Sequence, residues 1–447
     1  MKARLVVFFV LLGLWDRTVG AQVLRPGALA LPPPAPPSGV SGPSSAAAVP
    51  QGPFAGSVPP QPATADLVSL TLPDAIDRAL QYNLGVTTFE QDIESARGAR
   101  WRALAALLPT VDARVSETRE EVSLAAFGFN PSILPGVPSV IGPFNVFDGR
   151  VYVSQPVLDL SALNSVRREA RNIDAATLEY RNARDVVVLV AANLYLQVLT
   201  ASSRIDATRA QVETAQTNFT LATDLQRAGL AASIDVVRAQ VSLESQQQRL
   251  IAVGNDFQKA KLQLARAIGL PSSQRFDLAD TIPYAAMPAI GLEEALKRAY
   301  DTRADYRAAL ARVQAAEADH RAASAEALPS VVVNADYGAI GLSPSDTQPT
   351  FTLVGAVRVP LFDGGIRHGR LLETQAALRE RRADAEDFRQ RVESEIRTAF
   401  LDVEATEAQL RVAQHVVDLA NTQLTQAQDR FRAGVTSNLE VIQAQGR

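Results

Sequence analysis

The chain has 447 residues, a formal net charge of −4, 47% hydrophobic but only 6% aromatic residues, and no cysteine. That length exceeds one ordinary domain, and a near-neutral charge with no basic stripe argues against a nucleic-acid partner. The missing cysteine excludes disulfides, thiolate metal sites, thiol catalysis and a lipidated N-terminal cysteine.

The first 21 residues read as a secretory leader. Lys2 and Arg4 give the positive start, Leu5 to Leu14 the apolar run, and Val19-Gly20-Ala21 a small-residue cleavage site. The competing reading, a membrane anchor, suffers from a run too short to span a bilayer. Further along, the most apolar stretch, Val186 to Leu199, is broken by Asn193 and Gln197. Residues 22–66 follow as a Pro-rich extension, with 12 of the 26 prolines between Pro26 and Pro62. So little apolar surface there predicts a disordered segment.

A duplication occupies the rest. Leu72-Pro73-Asp74-Ala75 matches Leu292-Glu293-Glu294-Ala295, and Leu108-Pro109-Thr110-Val111 matches Leu328-Pro329-Ser330-Val331, both at an offset of 220. Pro156-Val157-Leu158-Asp159 then matches Pro360-Leu361-Phe362-Asp363, and Arg227-Ala228-Gly229-Leu230 matches Arg432-Ala433-Gly434-Val435, at offsets of 204 and 205. The expected domains are therefore a first repeat over 67–271 and a second over 272–447. The drop in offset places one longer loop in the first copy, the Pro/Gly-rich connection from Ser123 to Phe144.

Within each repeat the pattern changes period. Val111, Ala113 and Val115 alternate with Asp112, Arg114 and Ser116, and Val331, Val333, Ala335 and Tyr337 with Asn334, Asp336 and Gly338. Return strands carry Val151 and Val153, and Phe351, Leu353, Val357 and Val359. Period two predicts half-apolar hairpins, and one such hairpin on its own reads better as a half-buried pair on a soluble sheet. From Leu163 to Ala222 a three-four spacing takes over, apolar at all its positions but Thr177, Arg184 and Thr208. Shifted by 205 residues, its later part recurs from Val392 to Ala427 with Thr406 as the polar exception. Each such helix, at about 1.5 Å per residue, reaches on the order of 100 Å. A returning helix runs from about Ser233 to Ala267. Its counterpart begins after Gly434, and the repeat offset leads us to expect a second copy truncated near its C-terminus.

The expected fold is thus mainly α with a small β part: a duplicated strand hairpin joined to long antiparallel helical hairpins. A four-stranded amphipathic sheet leaves two open edges, and helices of such length cannot bury a narrow seam within one hairpin. Both call for assembly around an axis.

Leu70-Thr71-Leu72-Pro73-Asp74-Ala75, Val359-Pro360-Leu361-Phe362-Asp363-Gly364-Gly365 and the paired Arg-Ala-Gly turns resemble the TolC-type outer-membrane efflux proteins, over about residues 68–447. The resemblance implies a homotrimer with a 12-stranded β-barrel in outer-membrane lipid and an α-helical tunnel in the periplasm. It also implies a periplasmic adaptor and an inner-membrane pump as partners, in drug efflux or type I secretion, with porin-like transport and no catalysis. Two departures stand out, the Pro-rich extension and the short second copy. The rival readings are a periplasmic coiled-coil scaffold without a pore and an export factor for surface polymers.

Locally, the Arg-Ala-Gly turns read as helix C-termini, with glycine in the left-handed conformation and a basic residue near the carbonyl end. The resemblance adds that these tips dock the adaptor, through Arg227, Gly229, Leu230, Arg432, Gly434 and Val435. It also places Glu440 and Gln443, with Asp235 as the first-copy equivalent, at the periplasmic aperture. The local alternative makes Glu440 the partner of Ser437 in a capping box, and Asp235 a favourable charge at its helix N-terminus. The histidines, His320, His368 and His415, have no second ligand at metal spacing, and no phosphate loop or nucleophile motif is present. No cofactor or metal is expected.

Overall fold

The structure, a computed structural model, describes residues 52–128, 138–280, 290–433, 435–436 and 438–445. The expected leader and the extension up to residue 51 lie outside the described residues.

Chain order runs β1 (Val68–Leu70), α1 (Leu72–Tyr82), α2 (Leu84–Ala105), β2 (Thr110–Ser123), β3 (Val140–Leu158), α3 (Leu160–Arg227) and α4 (Ser233–Ala267). It continues with β4 (Phe276–Leu278), α5 (Leu292–Thr302), α6 (Ala304–Ala325), β5 (Ser330–Ser343), β6 (Asp346–Arg358), α7 (Ile366–Arg432) and α8 (Asn438–Gln445). The order helix-helix-strand-strand-helix-helix therefore occurs twice. α3 and α7 have 68 and 67 residues, so each is on the order of 100 Å long.

Two of the motifs that carry the family resemblance are helix starts. Thr71 and Asp74 form a capping box at α1: Asp74 N–H donates to Thr71 Oγ1 (3.3 Å), and Thr71 N–H to Asp74 Oδ2 (3.2 Å). These hydrogen bonds from Thr71 hold the Asp74 carboxyl below its ordinary range. Asp159 caps α3 by accepting from Ala162 N–H at 2.8 Å. Its repeat equivalent, Asp363, accepts from Gly365 N–H, Arg367 N–H and Arg367 Nε, at 3.1, 3.0 and 2.6 Å. The Arg367 guanidinium leads in lowering the Asp363 pKa.

Midway along α3 lies the principal core. Val187, Ala191, Leu194, Tyr195 and Val198 pack against Leu70, Ala75 and Ala79 from β1 and α1, and against Leu264, Ile268 and Phe276. β1 and β4 pair in parallel, Val68 with Phe276 and Leu70 with Leu278, which ties the start of one repeat to the start of the next. Tyr195 is 1% exposed, and its hydroxyl donates to Asp280 Oδ2 at 2.7 Å. Leu72 N–H donates to the same oxygen at 2.8 Å. Burial first, then the Asp280 carboxylate, pushes the Tyr195 hydroxyl well above its ordinary pKa. A window of α3 is apolar enough by mean hydropathy to cross a bilayer, and this buried seam is a physical account of that apolarity.

The expectation of a disordered stretch through residue 66 needs correcting. Pro53–Ala55 form a 3-10 turn, and Phe54 stacks on Phe89 with centroids 6.0 Å apart. Asn83 Nδ2 donates to the Phe54 carbonyl at 2.7 Å, and Thr64 N–H donates to Gln274 Oε1 at 2.8 Å. Average composition missed one aromatic anchor and the backbone groups it brings to the helices.

α6 is lined by alanine on its buried side: Ala308, Ala311, Ala315, Ala318, Ala322 and Ala325. Small side chains let it lie close between α3 and α7, with ion pairs on its flanks. Arg168 meets Asp319 at 2.5 Å on one side, and Arg382 meets Glu317 at 2.8 Å on the other. Arg303 bonds Asp305 and Glu395, each at 2.7 Å. Burial works against the Asp305 carboxylate, but the Arg303 guanidinium and the Tyr306 N–H outweigh it and keep its pKa low.

Candidate functional site

Two regions at opposite ends of the long helices carry the functional geometry. The first is an antiparallel sheet of order β2-β3-β5-β6, whose outer strands β2 and β6 leave open edges. Its register joins Val111 to Val153, Val153 to Ala335 and Ala335 to Leu353. Alternation then puts Val111, Ala113, Val115, Val151, Tyr337, Phe351 and Val357 on the same face. The opposite face carries Asp112, Arg114, Tyr152, Arg150, Asp148, Asp336 and Asn334. β3 starts at Val140, so this strand runs several residues into the stretch expected as tip loop, of which 129–137 lie outside the described residues.

Exposure on the two faces is the reverse of that in a soluble sheet. Phe351 is 78% exposed, Val115 72% and Leu353 70%. Arg150 and Asp336, on the polar face, have side chains only 17% exposed. On the polar face Asp112 and Arg114 on the outer strand β2 are exposed, while the Arg150 group of the inner strands β3 and β5 is sheltered. There Arg150 Nε donates to Asp148 (2.7 Å) and Arg150 Nη1 to Asp336 (2.8 Å), while Ser154 Oγ donates to Asn334 (2.7 Å). The Arg150 clamp was missed in the sequence because Asp336 is 186 residues away. The signal was there: all three residues occupy the polar half of the alternation.

At the other end the helical hairpins turn. Gly229 adopts φ +74°, its N–H donates to Gln226 O (2.9 Å), and Leu230 N–H donates to Leu225 O (2.8 Å). That is a Schellman termination, as the local reading expected. A side chain at Gly229 would meet nothing within 4 Å, and Leu230 is 76% exposed. Arg227 pairs loosely with Asp224 at 3.3 Å. In the second copy Arg432 ends α7 and Val435 N–H donates to Arg430 O (3.0 Å), the same bond. Val435 is exposed; Gly434 itself lies outside the described residues. The two tips lie side by side, since Ala427, Phe431, Val441 and Ala444 pack on Leu221 and Leu225 of α3.

Of the aperture residues, Glu440 accepts from Arg430 Nη1 at 2.7 Å and from Thr436 Oγ1. Ser437, its partner in the capping-box reading, lies outside the described residues. Asp235, in the first turn of α4, lies 3.6 Å from Arg238. The repeat puts Gln443 where Arg238 stands, and Gln443 is exposed. His320 contacts Thr374 between α6 and α7 (3.2 Å).

Comparison with known proteins agrees with this geometry. The sequence pattern of the family described as outer membrane efflux protein matches residues 75–270 and 295–447. The pyoverdine export outer membrane protein OpmQ of Pseudomonas putida is 25% identical over 312 residues, 67% of this chain and 64% of that protein, just under two thirds of its length. OpmQ of Pseudomonas aeruginosa is 25% identical over 394 residues, 84% of this chain and 78% of the relative. The crystal structure of the outer membrane protein VceC from Vibrio cholerae shares the fold, with a TM-score of 0.73 at 20% identity, over 84% of this chain and 89% of that one.

Proposed function

The chain belongs to the outer membrane efflux protein family, and from that premise we propose that three copies form a passive duct from an export pump to the exterior. The observation that carries this reading is the sheet, with large apolar side chains exposed on one face, a sheltered Arg150–Asp148–Asp336 group on the other and both edges open. Lipid tolerates neither an open edge nor an unpaired backbone group, and membrane barrels begin at about eight strands. Three copies of four strands supply twelve. The helices call for assembly as well. Leu401, Val412, Val416 and Leu419 of α7 are exposed, and a second copy would cover them. The two repeats, 67–271 and 272–447, then contribute two strands and one helical hairpin each.

Pure protein in a planar bilayer should conduct and should run as a heat-modifiable trimer from the outer-membrane fraction. Soluble, non-conducting rods in the periplasm would leave the scaffold reading instead. Pyoverdine export, the role in the OpmQ name, is the first cargo to assay.

The reading also assigns the paired tips to a periplasmic adaptor coupled to an inner-membrane pump. Exposed Leu230 and Val435 beside basic residues support it, because a hairpin of a partner needs an apolar contact with a polar rim. Gly229→Glu combined with Gly434→Glu should abolish adaptor crosslinking and efflux while the trimer persists. Undiminished efflux by that trimer would remove the tips from docking.

Glu440 and Gln443, with Asp235, are assigned to the aperture. The Arg430–Glu440 bond links the end of α7 to α8 and so gives the mouth a releasable latch. Both side chains are partly exposed, so the pair is worth about 1 kcal/mol or less. Single-channel recordings should show Glu440→Ala opening more often than wild type, and Arg430→Ala doing the same. Unchanged open probability in both variants rules out the latch.

A further inference from the structure

On the polar face of the sheet, three adjacent rows bring five charged residues together across β2, β3 and β5. Asp112 is opposite Tyr152, which is opposite Asp336; Arg114 is opposite Arg150, which is opposite Gly338; Ser116 is opposite Asp148. The two arginines, though neighbours, are not equivalent. Arg150 is held by Asp148 and Asp336 together, and Gly338 leaves the space across which it reaches. Two carboxylates face this one guanidinium, so its charge is more than cancelled where it lies.

Arg114 sits on the outer strand, exposed, with its guanidinium 5.6 Å from the centroid of the Tyr152 ring. Among the described residues it has no carboxylate within ion-pair distance. Like charges directly opposite one another repel, so Arg150 disfavours Arg114 lying flat on the sheet. The Tyr152 ring offers a cation–π contact and keeps the guanidinium raised from the backbone. Asp112, two residues away on the same face, presents the opposing charge one row further along.

We propose that Arg114 is the residue that sets charge selectivity in the barrel, as an uncancelled cation that an anionic solute meets midway through the lumen. This rests on the duct reading, in which the polar face lines the lumen. Its symmetry would then place three Arg114 side chains at one height, within low-dielectric walls that concentrate their field. A unit charge about 10 Å away in water contributes about 0.4 kcal/mol, a factor of about two in the local concentration of a monovalent ion. The effect is largest at low salt, where the Debye length exceeds the pore radius.

The test is the reversal potential of purified trimers in a planar bilayer under a KCl gradient. Arg114→Gln should raise the permeability ratio of potassium over chloride by at least about twofold, and Arg114→Glu by more. Asp112→Asn should move the ratio the other way. The Arg114 side chain stands on the polar face and not along the backbone edge that the next copy would pair with, so these variants should assemble as wild type does, which the heat-modifiable trimer band checks. Arg114→Glu trimers that conduct with the wild-type reversal potential overturn the assignment alone. A wild-type trimer that does not conduct overturns the duct and this assignment together.

Discussion

Leu353→Arg is expected to keep the protein out of the outer membrane. Leu353 lies in the row Val111-Val153-Ala335-Leu353, near the middle of the apolar face, and is 70% exposed in the single chain. On a lipid-facing site near the bilayer midplane, arginine costs about 2–4 kcal/mol, and a trimer incurs that three times. In water the same substitution at an exposed position would change stability by about 0.5 kcal/mol or less. The sign of the result therefore reports the solvent of this face. Thr352→Arg, one residue away on the polar face, should assemble nearly normally. The measurement is the fraction of heat-modifiable trimer in outer membranes. Equal trimer yields for the two variants would mean that the apolar face does not meet lipid.

Gly338→Ala should be strongly damaging to the four-stranded sheet. A Cβ at Gly338 would lie 2.2 Å from the Gly149 carbonyl oxygen and 2.5 Å from Arg150 Cγ. Backbone cannot yield as a flexible side chain does, so β3 and β5 must part. That pair joins the hairpin of the first repeat to the hairpin of the second, and overpacking of this kind costs on the order of 3 kcal/mol. Displacing Arg150 also uncouples two carboxylates from their shared cation, which adds to the loss. Gly355→Ala makes the control, because a Cβ there meets nothing within 4 Å. The temperature at which the trimer dissociates should fall steeply for Gly338→Ala and barely move for Gly355→Ala. Matching transitions would show that β3 and β5 tolerate separation.

Much of this architecture was legible because two periodicities are local properties of the chain. Alternation at Val111 to Ser116 and at Val331 to Gly338 marked the strands, and the three-four seam from Leu163 to Ala222 marked α3 almost to its ends. The seam positions Val187, Ala191, Leu194 and Val198 are indeed the buried ones. Even Thr208, polar in that seam, is 5% exposed and donates to Arg204 O one turn back at 2.7 Å. The Arg-Ala-Gly turn was legible too, since the Schellman bonds at Gly229 join residues within six positions.

Residues 53–66 were misread for the opposite reason. Proline content described their average, whereas Phe54 and Thr64 are anchored by partners, Phe89 and Gln274, far along the chain. The turn also brings Arg430, ten residues away on the preceding helix, to the Glu440 carboxylate.

By itself, then, the sequence determined the duplication, the strand faces and the long helices, all of which follow from spacing along one chain. The tertiary structure alone decided which charges cancel and which stand free. Arg114 and Arg150 share one alternating pattern, yet only Arg150 lies between Asp148 and Asp336. Coulomb interactions depend on distance through space, and the register of β3 on β5, across 186 residues, brings Arg150 to Asp336.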